Sequence, residues 1–399
     1  MGKVILIQLN DKLVYAGYAH TGTKRTPLGL AYVASSMIKE GYDVEIVDAS
    51  LDDLEVEQIV DIVVSKNPDL VGVTCTTPLF PQLVKVVQGI KKHHIKVFIG
   101  GAHVTALPKS SLEKSGADWV SVGDYEKVYH LDEIPYPARH LLRMNEYVDY
   151  ARGVLTPQTS IITSRGCIGN CGFCNAAGTR VRLRSVENVL GELEEIYAYG
   201  IRNLVFYDDS FTTIKKRIMD ICGGMIDRGL NFKYQVQMRL DQVDDDIMDI
   251  MVRSGCNHIG VGVESGNKEI LEDIRKSPKV DIGFIEVKCN LIKKYPVKLR
   301  CSYIMGWIDE TEEQVWDTIE LAKKIDSDEN AFSIATPYPG TRMWNIALDR
   351  GLVSEDMDFS NFIYYHKVGC NLSQVSDKRL MELHELAYKE VGNREYALG

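Results

Sequence analysis

Short apolar segments rich in Val and Ile alternate with amphipathic helical segments along almost the whole of this 399-residue chain. The alternation runs twice, because the stretch HLDEIPYPARHLL, with two prolines close together, interrupts it. Strand–helix alternation predicts parallel sheets covered by helices, with ligands bound beyond the carboxyl ends of the strands. We therefore expect an α/β protein with two sheets of this kind.

The first run of alternation predicts a doubly wound, Rossmann-like parallel sheet. Its expected strands are residues 3–9, 43–49, 70–75, 96–101 and 117–124. The second run offers six strand–helix units, too few for a closed barrel of eight. Their expected strands are residues 160–164, 203–209, 233–238, 258–265, 298–306 and 331–338. This pattern predicts an open, partial (β/α)6 barrel of the TIM type with its site at the strand carboxyl ends.

The interruption and the two runs predict how the chain divides. We expect a ligand-binding domain over 1–130, a linker over 131–156, the partial barrel over 157–345, and a cap on the substrate side over 346–399. The cap is expected to be mainly helical, because it ends in the amphipathic run DKRLMELHELAYKEVG. It is too short to be an independent domain.

The composition excludes several classes of protein. Hydrophobic residues make up 45% and charged residues 26% of the chain, and the net charge is −10. The acidic balance argues against a nucleic-acid surface, which needs clustered basic residues. No apolar run reaches the ~18 residues that span a bilayer, so we expect a cytoplasmic protein without membrane contact. Nine cysteines in that compartment indicate thiols and metal ligands rather than disulfides.

A cysteine-rich loop, SRGCIGNCGFCNAAG at residues 164–178, follows the first strand of the expected barrel. Cys167, Cys171 and Cys174 have the spacing C-x3-C-x2-C, which favours ligation of one metal centre. Structural zinc needs four ligands, and the loop offers neither a histidine nor a fourth cysteine. A [4Fe–4S] cluster held by three thiolates fits better, because its fourth iron stays open to another ligand.

This loop, with Phe173 before the last cysteine, resembles the radical S-adenosylmethionine superfamily. In that superfamily the open iron binds S-adenosylmethionine, and one electron from the cluster releases a 5′-deoxyadenosyl radical. FYDDSFT, GVGVESG, YIMGWIDETEEQ and TPYPGTRMW resemble successive markers of its cobalamin-dependent branch. TPLGLAYVASSMIKEGYDVEIVDA, PDLVGVTC, VFIGGAHVTALP and GDYE resemble the B12-binding domain that precedes such barrels. The resemblance covers most of the chain and is to enzymes of the methyltransferase type.

Cysteines that related classes carry are missing from the sequence. Methylthiotransferases have three further amino-terminal cysteines, whereas this chain has only Cys75 before residue 167. Peptide-maturation enzymes with auxiliary clusters have many cysteines after the barrel, whereas the last third of this chain has only Cys289, Cys301 and Cys370, which are scattered. We therefore expect one cluster. Neither GYAHTG nor GAHVTA fits the D-x-H-x-x-G loop of methionine-synthase-like domains, so the cobalt is expected to lack a histidine ligand.

The resemblance implies cobalamin-binding residues just after the later strands of the first sheet. They are Thr74, Cys75, Thr76, Thr77, Gly100, Gly101, His103, Gly123 and Glu126. Small residues at these positions would let the backbone approach a corrin or its nucleotide tail. Turn requirements explain Gly100 and Gly101 equally well, and His103 is as readily a loop hydrogen-bonding residue as a ligand contact.

The resemblance also implies contacts to S-adenosylmethionine at the carboxyl ends of the barrel strands. The expected residues are Phe173, Asp208, Asp209, Arg239, Glu264 and Pro337. Asp208 or Asp209 would accept a hydrogen bond from the ammonium group, or would cap a helix instead. Arg239 would clamp the carboxylate, or would pair with Asp241 at the surface. Glu264 would bind ribose or ammonium, because burying it unpaired at the end of an apolar strand would be costly.

Two further segments of the barrel lie near the expected site. TRVRLRS carries Arg180, Arg182 and Arg184 directly after the cysteine loop, and it is interpreted either as a solvated face or as a holder of an anionic group. GWIDET departs from the more usual G-x-P-G-E-T after the fifth barrel strand. Trp307 is therefore expected to reshape the adenosine or substrate side.

The expected activity is transfer of a methyl group from methylcobalamin to an unactivated carbon. One S-adenosylmethionine would methylate Co(I), and a second would give the radical that removes a substrate hydrogen atom. A peptide or protein loop, including the α-carbon of a glutamine, is compatible as substrate, and the electron donor would be of the flavodoxin or ferredoxin type in an anaerobic setting. The alternatives are a cobalamin-using cyclase or rearrangement enzyme, and a non-catalytic, corrinoid-sensing iron–sulfur protein.

Overall fold

The computed structural model describes residues 2–13, 24–125, 130–149, 154–274, 280–365 and 367–392. The chain forms two compact units. The first contains Met1–Pro157, Tyr338–Gly340 and Trp344–Ile363, and the second contains Gln158–Pro337, Thr341–Met343 and Tyr364–Gly399. The segment expected as a linker thus lies in the first unit, together with part of the expected cap. The functional boundaries drawn from the sequence stay predictions.

The first unit contains a parallel sheet. Its strands are β1 (Lys3–Gln8), β2 (Asp43–Asp48), β3 (Leu70–Thr74), β4 (Lys96–Gly100) and β5 (Trp119–Val120). They are ordered β2-β1-β3-β4-β5, which is an order of doubly wound folds. The prediction of such a sheet is confirmed, although β5 is shorter than the expected 117–124. Ligands bind such sheets where the strand order reverses, between β1 and β3.

Helices cover the first sheet. They are α1 (Leu28–Lys39), α2 (Ala49–Asp52), α3 (Val56–Ser65), α4 (Phe80–Lys91), α5 (Ala102–Ala106) and α6 (Pro108–Ser115). Val4 and Leu6 of β1 are buried against Ala34 and Met37 of α1. Their spacing follows the two-residue repeat of a strand and the helical repeat of α1, which is why the sequence pattern located both elements.

The second unit is built on a six-stranded parallel sheet. The strands of this unit are β6 (Gln158–Ile161), β7 (Ser164–Arg165), β8 (Arg182–Leu183), β9 (Asn203–Phe206), β10 (Lys233–Met238), β11 (Cys256–Glu264), β12 (Lys298–Met305) and β13 (Glu329–Ile334). The large sheet has the order β13-β12-β11-β10-β9-β6, so each strand lies beside its predecessor. This confirms the predicted open partial barrel. β7 and β8 form a short antiparallel ribbon.

Helices follow the barrel strands in the expected alternation. They are α7 (Val186–Ala198), α8 (Lys215–Asp227), α9 (Asp245–Arg253), α10 (Lys268–Ile274), α11 (Ile282–Ile292), α12 (Glu312–Ile325), α13 (Arg342–Asp349) and α14 (Asp377–Glu390). Side-chain caps begin several of them: Ser185 accepts the amide of Asn188 at α7, and Thr311 forms a capping box with Gln314 at α12. Across the described ranges, every helix is too short or too polar to cross a membrane.

Candidate functional site

The cysteine loop joins β7 to β8 at the carboxyl end of the first barrel strand. Cys167, Cys171 and Cys174 are half-buried thiols. Bonds within the loop fix its path: the Cys174 amide donates to the Cys171 carbonyl at 3.1 Å, and the Cys167 amide donates to the Thr179 hydroxyl at 3.2 Å. Gly166 has a φ of 94°, and a Cβ there would collide with a backbone carbonyl across the ribbon. This residue must be glycine for the loop to close.

The donor set of this loop fits a cluster better than a single ion. Among the residues that the structure describes, no three Cys, His, Asp or Glu side chains converge as ligands of one metal ion would. Each thiolate of an iron–sulfur cluster binds a different iron, so the sulfur atoms need not approach so closely. Three thiols on one short loop therefore match a three-cysteine cluster.

Arg239, just after β10, lies beside the cysteine loop. It forms a bidentate pair with Asp241, at 3.0 Å from Nε and 2.8 Å from Nη2. This pair raises the pKa of Arg239, and the negative charge of the Cys171 and Cys167 thiolates raises it further. A Cβ on Gly169 would lie 2.5 Å from Nη1 of the same guanidinium. Arg239 therefore pairs with Asp241, as one of its two interpretations stated, and lies beside the loop; its contact to the carboxylate of S-adenosylmethionine stays a prediction.

Asp208, after β9, fixes the corner that leads into the loop. Its buried carboxylate accepts hydrogen bonds from the Thr163 amide at 2.9 Å and the Ser164 hydroxyl at 2.7 Å. Burial raises the pKa of Asp208 to about 6, while hydrogen bonds from Ser164 and the charge of Arg217 oppose that shift. It does not cap α8, whose N-cap is Ile214. A contact between Asp208 and S-adenosylmethionine stays a prediction.

Asp209 points in a different direction from Asp208. Its exposed carboxylate accepts the Gly166 amide at 2.7 Å, directly before the first cysteine. The pKa of Cys174 is raised chiefly by burial and also by the charge of Asp209. Asp209 is thus close to the loop while one face of its carboxylate remains open to solvent.

A side-chain network that the sequence did not predict clamps the middle of the loop. Trp307, fully buried, packs edge-on against Phe173 with ring centroids 6.3 Å apart, and its Nε1 donates to Asp273 at 2.8 Å. Arg342 pairs with the same carboxylate at 2.6 Å. The backbone of Gly172 is bonded on both sides, since its amide donates to the Ile274 carbonyl at 3.0 Å and its carbonyl accepts the Met343 amide at 3.0 Å.

The clamp places Trp307 of the GWIDET segment against the cysteine loop, through the ring of Phe173. The expected effect of Trp307 on the adenosine or substrate side stays a prediction. A Cβ on Gly172 would lie 3.1 Å from Nη1 of Arg342 and 3.3 Å from the Trp307 ring, so the loop approaches both closely. In this pattern Trp307 stands at the variable position, while Ile308 and Asp309 replace the usual proline and glycine, so the pattern does not indicate where the Trp307 ring packs.

The last two expected residues of this unit lie at strand ends. Glu264, at the end of β11, is buried and has a φ of 71°, and the pairing of β11 with β12 shifts register just before it. A left-handed backbone at a residue other than glycine stores strain, and a register shift re-aims side chains. Pro337 is buried shortly after β13. Their contacts to S-adenosylmethionine stay predictions.

The expected cobalamin residues of the first unit lie where β3 and β4 end. The Cys75 amide donates to the Gly100 carbonyl at 3.2 Å. Gly101 has a φ of 99°, and a Cβ there would lie 2.5 Å from the Cys75 carbonyl oxygen. Thr74 is half-buried, Thr76 is exposed and Thr77 is buried. The two strand ends therefore touch through backbone atoms, which leaves a surface made of small groups.

His103 and the GDYE segment complete this end of the sheet. His103 is 1% exposed; its ring packs at a tilt against Phe80, with ring centroids 4.2 Å apart, and edge-on against Phe359 at 4.8 Å. Burial and the charge of Lys114 lower the pKa of His103 to about 4, so the ring is neutral at neutral pH. The Gly123 amide donates to the Thr105 hydroxyl at 3.0 Å. Glu126, also expected to bind cobalamin, lies outside the described residues.

Comparison with known protein families divides the chain into two parts that correspond to the two sheets. The B12 binding domain family matches residues 16–130, and the Radical SAM superfamily matches residues 161–322. The chain is 35% identical over 378 residues to an uncharacterized methyltransferase, PH0819, from Pyrococcus horikoshii, covering 83% of this chain and 80% of that protein. It is 22% identical over 436 residues to cytidylyl-2-hydroxyethylphosphonate methyltransferase from Streptomyces wedmorensis, covering 85% and 80%.

A solved structure shares this fold. The radical S-adenosylmethionine methyltransferase TsrM from Kitasatospora setae, with cobalamin and a [4Fe–4S] cluster bound, superimposes with a TM-score of 0.75 at 18% identity. The match covers 98% of this chain and 89% of that one. The chain belongs to the cobalamin-dependent radical S-adenosylmethionine enzymes of the methyltransferase type, whose cofactors are a [4Fe–4S] cluster, cobalamin and S-adenosylmethionine.

Proposed function

We propose that the protein transfers a methyl group from methylcobalamin to an unactivated carbon, after a 5′-deoxyadenosyl radical has removed a hydrogen atom from it. One substrate C–H, two molecules of S-adenosylmethionine and two electrons give the methylated product, S-adenosylhomocysteine, methionine and 5′-deoxyadenosine. The observation that carries this proposal is a three-thiol loop beside a cation at barrel strand ends, in a chain that also contains a sheet of the B12-binding type.

We assign the cluster to Cys167, Cys171 and Cys174. When bound there, the cluster supplies the electron that cleaves S-adenosylmethionine. The chain's own contribution is to hold the thiolates and to place a cation beside them. Arg239 is this cation: its pair with Asp241 raises its pKa, and the charges of Cys171 and Cys167 add to that rise.

The cosubstrate site is assigned to the same strand ends. Asp209, with its exposed carboxylate beside the loop, is suited to accept a hydrogen bond from the ammonium group. Glu264 is assigned to the ribose or the ammonium group on the strength of its strained backbone and its place at the end of β11. Phe173 and Pro337 would contribute apolar contact, and Asp208 would act through the strand that it fixes.

Cobalamin, the source of the methyl group, is assigned to the ends of β3, β4 and β5. Backbone groups of Gly100, Gly101 and Gly123, with Thr74, Cys75, Thr76 and Thr77, offer a surface that a large planar ligand can approach closely. Phe80 and Phe359 pack against the buried ring of His103, which follows Gly101 closely in the chain. Glu126 is retained in this assignment from the sequence alone.

The remaining parts of the proposal concern partners. The electrons would come from a flavodoxin or ferredoxin in an anaerobic cytoplasm. The substrate proposed from the sequence is a peptide or protein residue, such as a glutamine methylated at its α-carbon, because the barrel is open and the carboxy-terminal segment is small.

The test is product analysis with anaerobically reconstituted protein, dithionite as reductant and S-adenosylmethionine that carries a deuterated methyl group. We expect 5′-deoxyadenosine and S-adenosylhomocysteine to form together and the product to gain the deuterated methyl. A product without added methyl mass would favour a cyclase or rearrangement enzyme. Intact S-adenosylmethionine would favour a corrinoid-binding protein without catalysis.

A further inference from the structure

The barrel sheet has two faces of different chemistry. Tyr234 and Val236 of β10 are buried on the helix-covered face, where the Tyr234 hydroxyl donates to the Met251 carbonyl of α9 at 3.1 Å. Successive side chains of a strand point to opposite faces, so Gln237 lies on the inner face of the partial barrel. Strand pairing places Gln237 beside Gly260 of β11, and Gly260 beside Arg300 of β12.

The same inner face carries further small and polar residues toward the carboxyl ends of the strands. Gly262 of β11 pairs with Ser302 of β12. Ser333 of β13 lies on this face too, because its neighbour Phe332 is fully buried on the other side against Tyr388 of α14. Valine, isoleucine and leucine fill the interior of a closed TIM barrel in layers, and this wall departs from that pattern.

The residues of this inner face, which we call the inner wall, are accessible to solvent, and their polar groups can bind a ligand. Gln237 is exposed although it lies in the middle of the sheet with a strand on each side, and Ser302 and Ser333 are partly exposed. In the described part of the chain, the amide of Gln237 and the two serine hydroxyls make no hydrogen bond to protein. The side-chain amide of Gln237 lies over Gly260. A side chain at position 260 would collide with this amide, so the glycine leaves space for it.

The polar wall discriminates between classes of substrate. A molecule that fills this space removes water from the amide and both hydroxyls. Each group left without a partner costs about 1–3 kcal/mol. A hydrocarbon-like or flat apolar substrate offers no replacement for those hydrogen bonds, whereas a molecule with amide or hydroxyl groups does.

We infer that the substrate is a polar molecule whose amide or hydroxyl groups hydrogen-bond to Gln237, Ser302 and Ser333 on the inner wall of the barrel. The inference rests on the proposed function, because it places the methyl acceptor in the barrel. Gln237 is then the residue that sets specificity most strongly, since its side chain carries both donors and an acceptor.

Binding of small probes to the reconstituted protein tests the inference by saturation-transfer NMR. The polar probe is N-acetylalanine methylamide and the apolar probe is isobutylbenzene. We expect the polar probe to bind in preference to the apolar one. Gln237→Leu should weaken binding of the polar probe by about tenfold, the value of one lost hydrogen bond. The control, Gln88→Leu on α4 of the other unit, should leave its binding unchanged.

Three results would overturn the inference: preferred binding of the apolar probe, no binding of the polar probe, or unchanged binding of the polar probe in Gln237→Leu. A variant that loses affinity for S-adenosylmethionine more than for the polar probe would also overturn it, because the wall would then belong to the cosubstrate. Failure of the proposed function is read separately, as absence of 5′-deoxyadenosine from the wild-type protein, and the probe result stands in either case.

Discussion

The two sheets present their candidate sites at the same place, the carboxyl ends of parallel strands, yet the chemistry there differs. In the first unit the strand ends consist of backbone and small side chains, and the nearby His103 is buried and neutral. In the second, three thiols lie beside Arg239, with Asp209 next to the loop. The first candidate site offers space for a ligand between small groups. The second offers charged groups, and its side chains fix the conformation of the cysteine loop.

This contrast matches the demands of the two cofactors. A corrin is large and needs an open surface without protruding side chains, so glycine at the strand ends serves it. A cluster with a charged cosubstrate needs thiolates, cations and carboxylates at fixed positions. Substitutions should therefore act by steric overlap in the first unit and by loss of a specific group in the second.

The largest expected effect is loss of the cluster in Cys171→Ala. Two thiolates cannot hold the cluster, so 5′-deoxyadenosine formation should fall to background and iron content should fall with it. Cys370→Ala, a cysteine of the second unit outside the loop, is the matched control and should keep both. Cleavage that survives in Cys171→Ala would exclude the cluster assignment.

The first unit should respond to added volume. Gly101→Ala introduces a Cβ 2.5 Å from the Cys75 carbonyl at a φ of 99°, and should lower affinity for hydroxocobalamin by about 100-fold. Absorbance titration measures this, while iron content should stay normal. Gly116→Ala is the control, because Gly116 also has positive φ but no atom of the described residues lies within 4 Å of the Cβ that the substitution adds. Equal losses in both variants would mean that backbone strain, and not overlap, is the cause.

A buried carboxyl should make stability of the second unit fall as pH rises. Burial raises the pKa of Glu310 to about 7, while amide hydrogen bonds from Trp307 and Gly306 oppose the shift. A raised carboxyl pKa gives stability that is present at low pH and lost as pH approaches the folded-state value.

Between pH 5.5 and 8, the wild type should therefore lose about 2 kcal/mol of unfolding free energy relative to Glu310→Gln. Urea unfolding at both pH values measures the difference. In the first unit, His103 should give a pH dependence of the opposite sign, because burial lowers its pKa to about 4. The contribution of neutral His103 to the free energy of unfolding is lost as pH falls below 6.5. A difference between wild type and Glu310→Gln that does not change with pH would contradict this account.

The smallest expected effect concerns the clamp on the cysteine loop. Trp307→Phe removes the hydrogen bond to Asp273 and part of the contact with Phe173, so the cluster should release iron to a chelator about fivefold faster. Trp119→Phe, at an exposed position of the first unit, should release iron at the wild-type rate. Equal release rates in the two variants would show that the loop does not depend on the clamp.

The fold was predictable because its signals are local. Alternating strand and helix patterns located nearly every strand, and the order of the barrel strands follows from their sequence. The cysteine spacing is local too, and it indicates the loop to which the cluster is assigned. Contacts between distant segments were not predictable: Asp273, Trp307 and Arg342 meet only in the folded chain.

The arginine run shows the same limit. Arg180, Arg182 and Arg184 look alike in the sequence, but Arg184 is buried and pairs with Glu192, which is also buried on α7. The available signal was Glu192 itself, a charged residue among the apolar positions of the buried helix face. Periodicity identifies that face but does not reveal which partner neutralises the charge.

The most direct test of the central claim, that one chain holds both cofactors, is metal analysis of anaerobically reconstituted protein with its ultraviolet–visible spectrum. The account predicts roughly four irons and one cobalt per chain. It also predicts that Cys171→Ala loses the iron and Gly101→Ala loses the cobalt. Iron without stoichiometric cobalt, even after hydroxocobalamin has been supplied, would contradict the account.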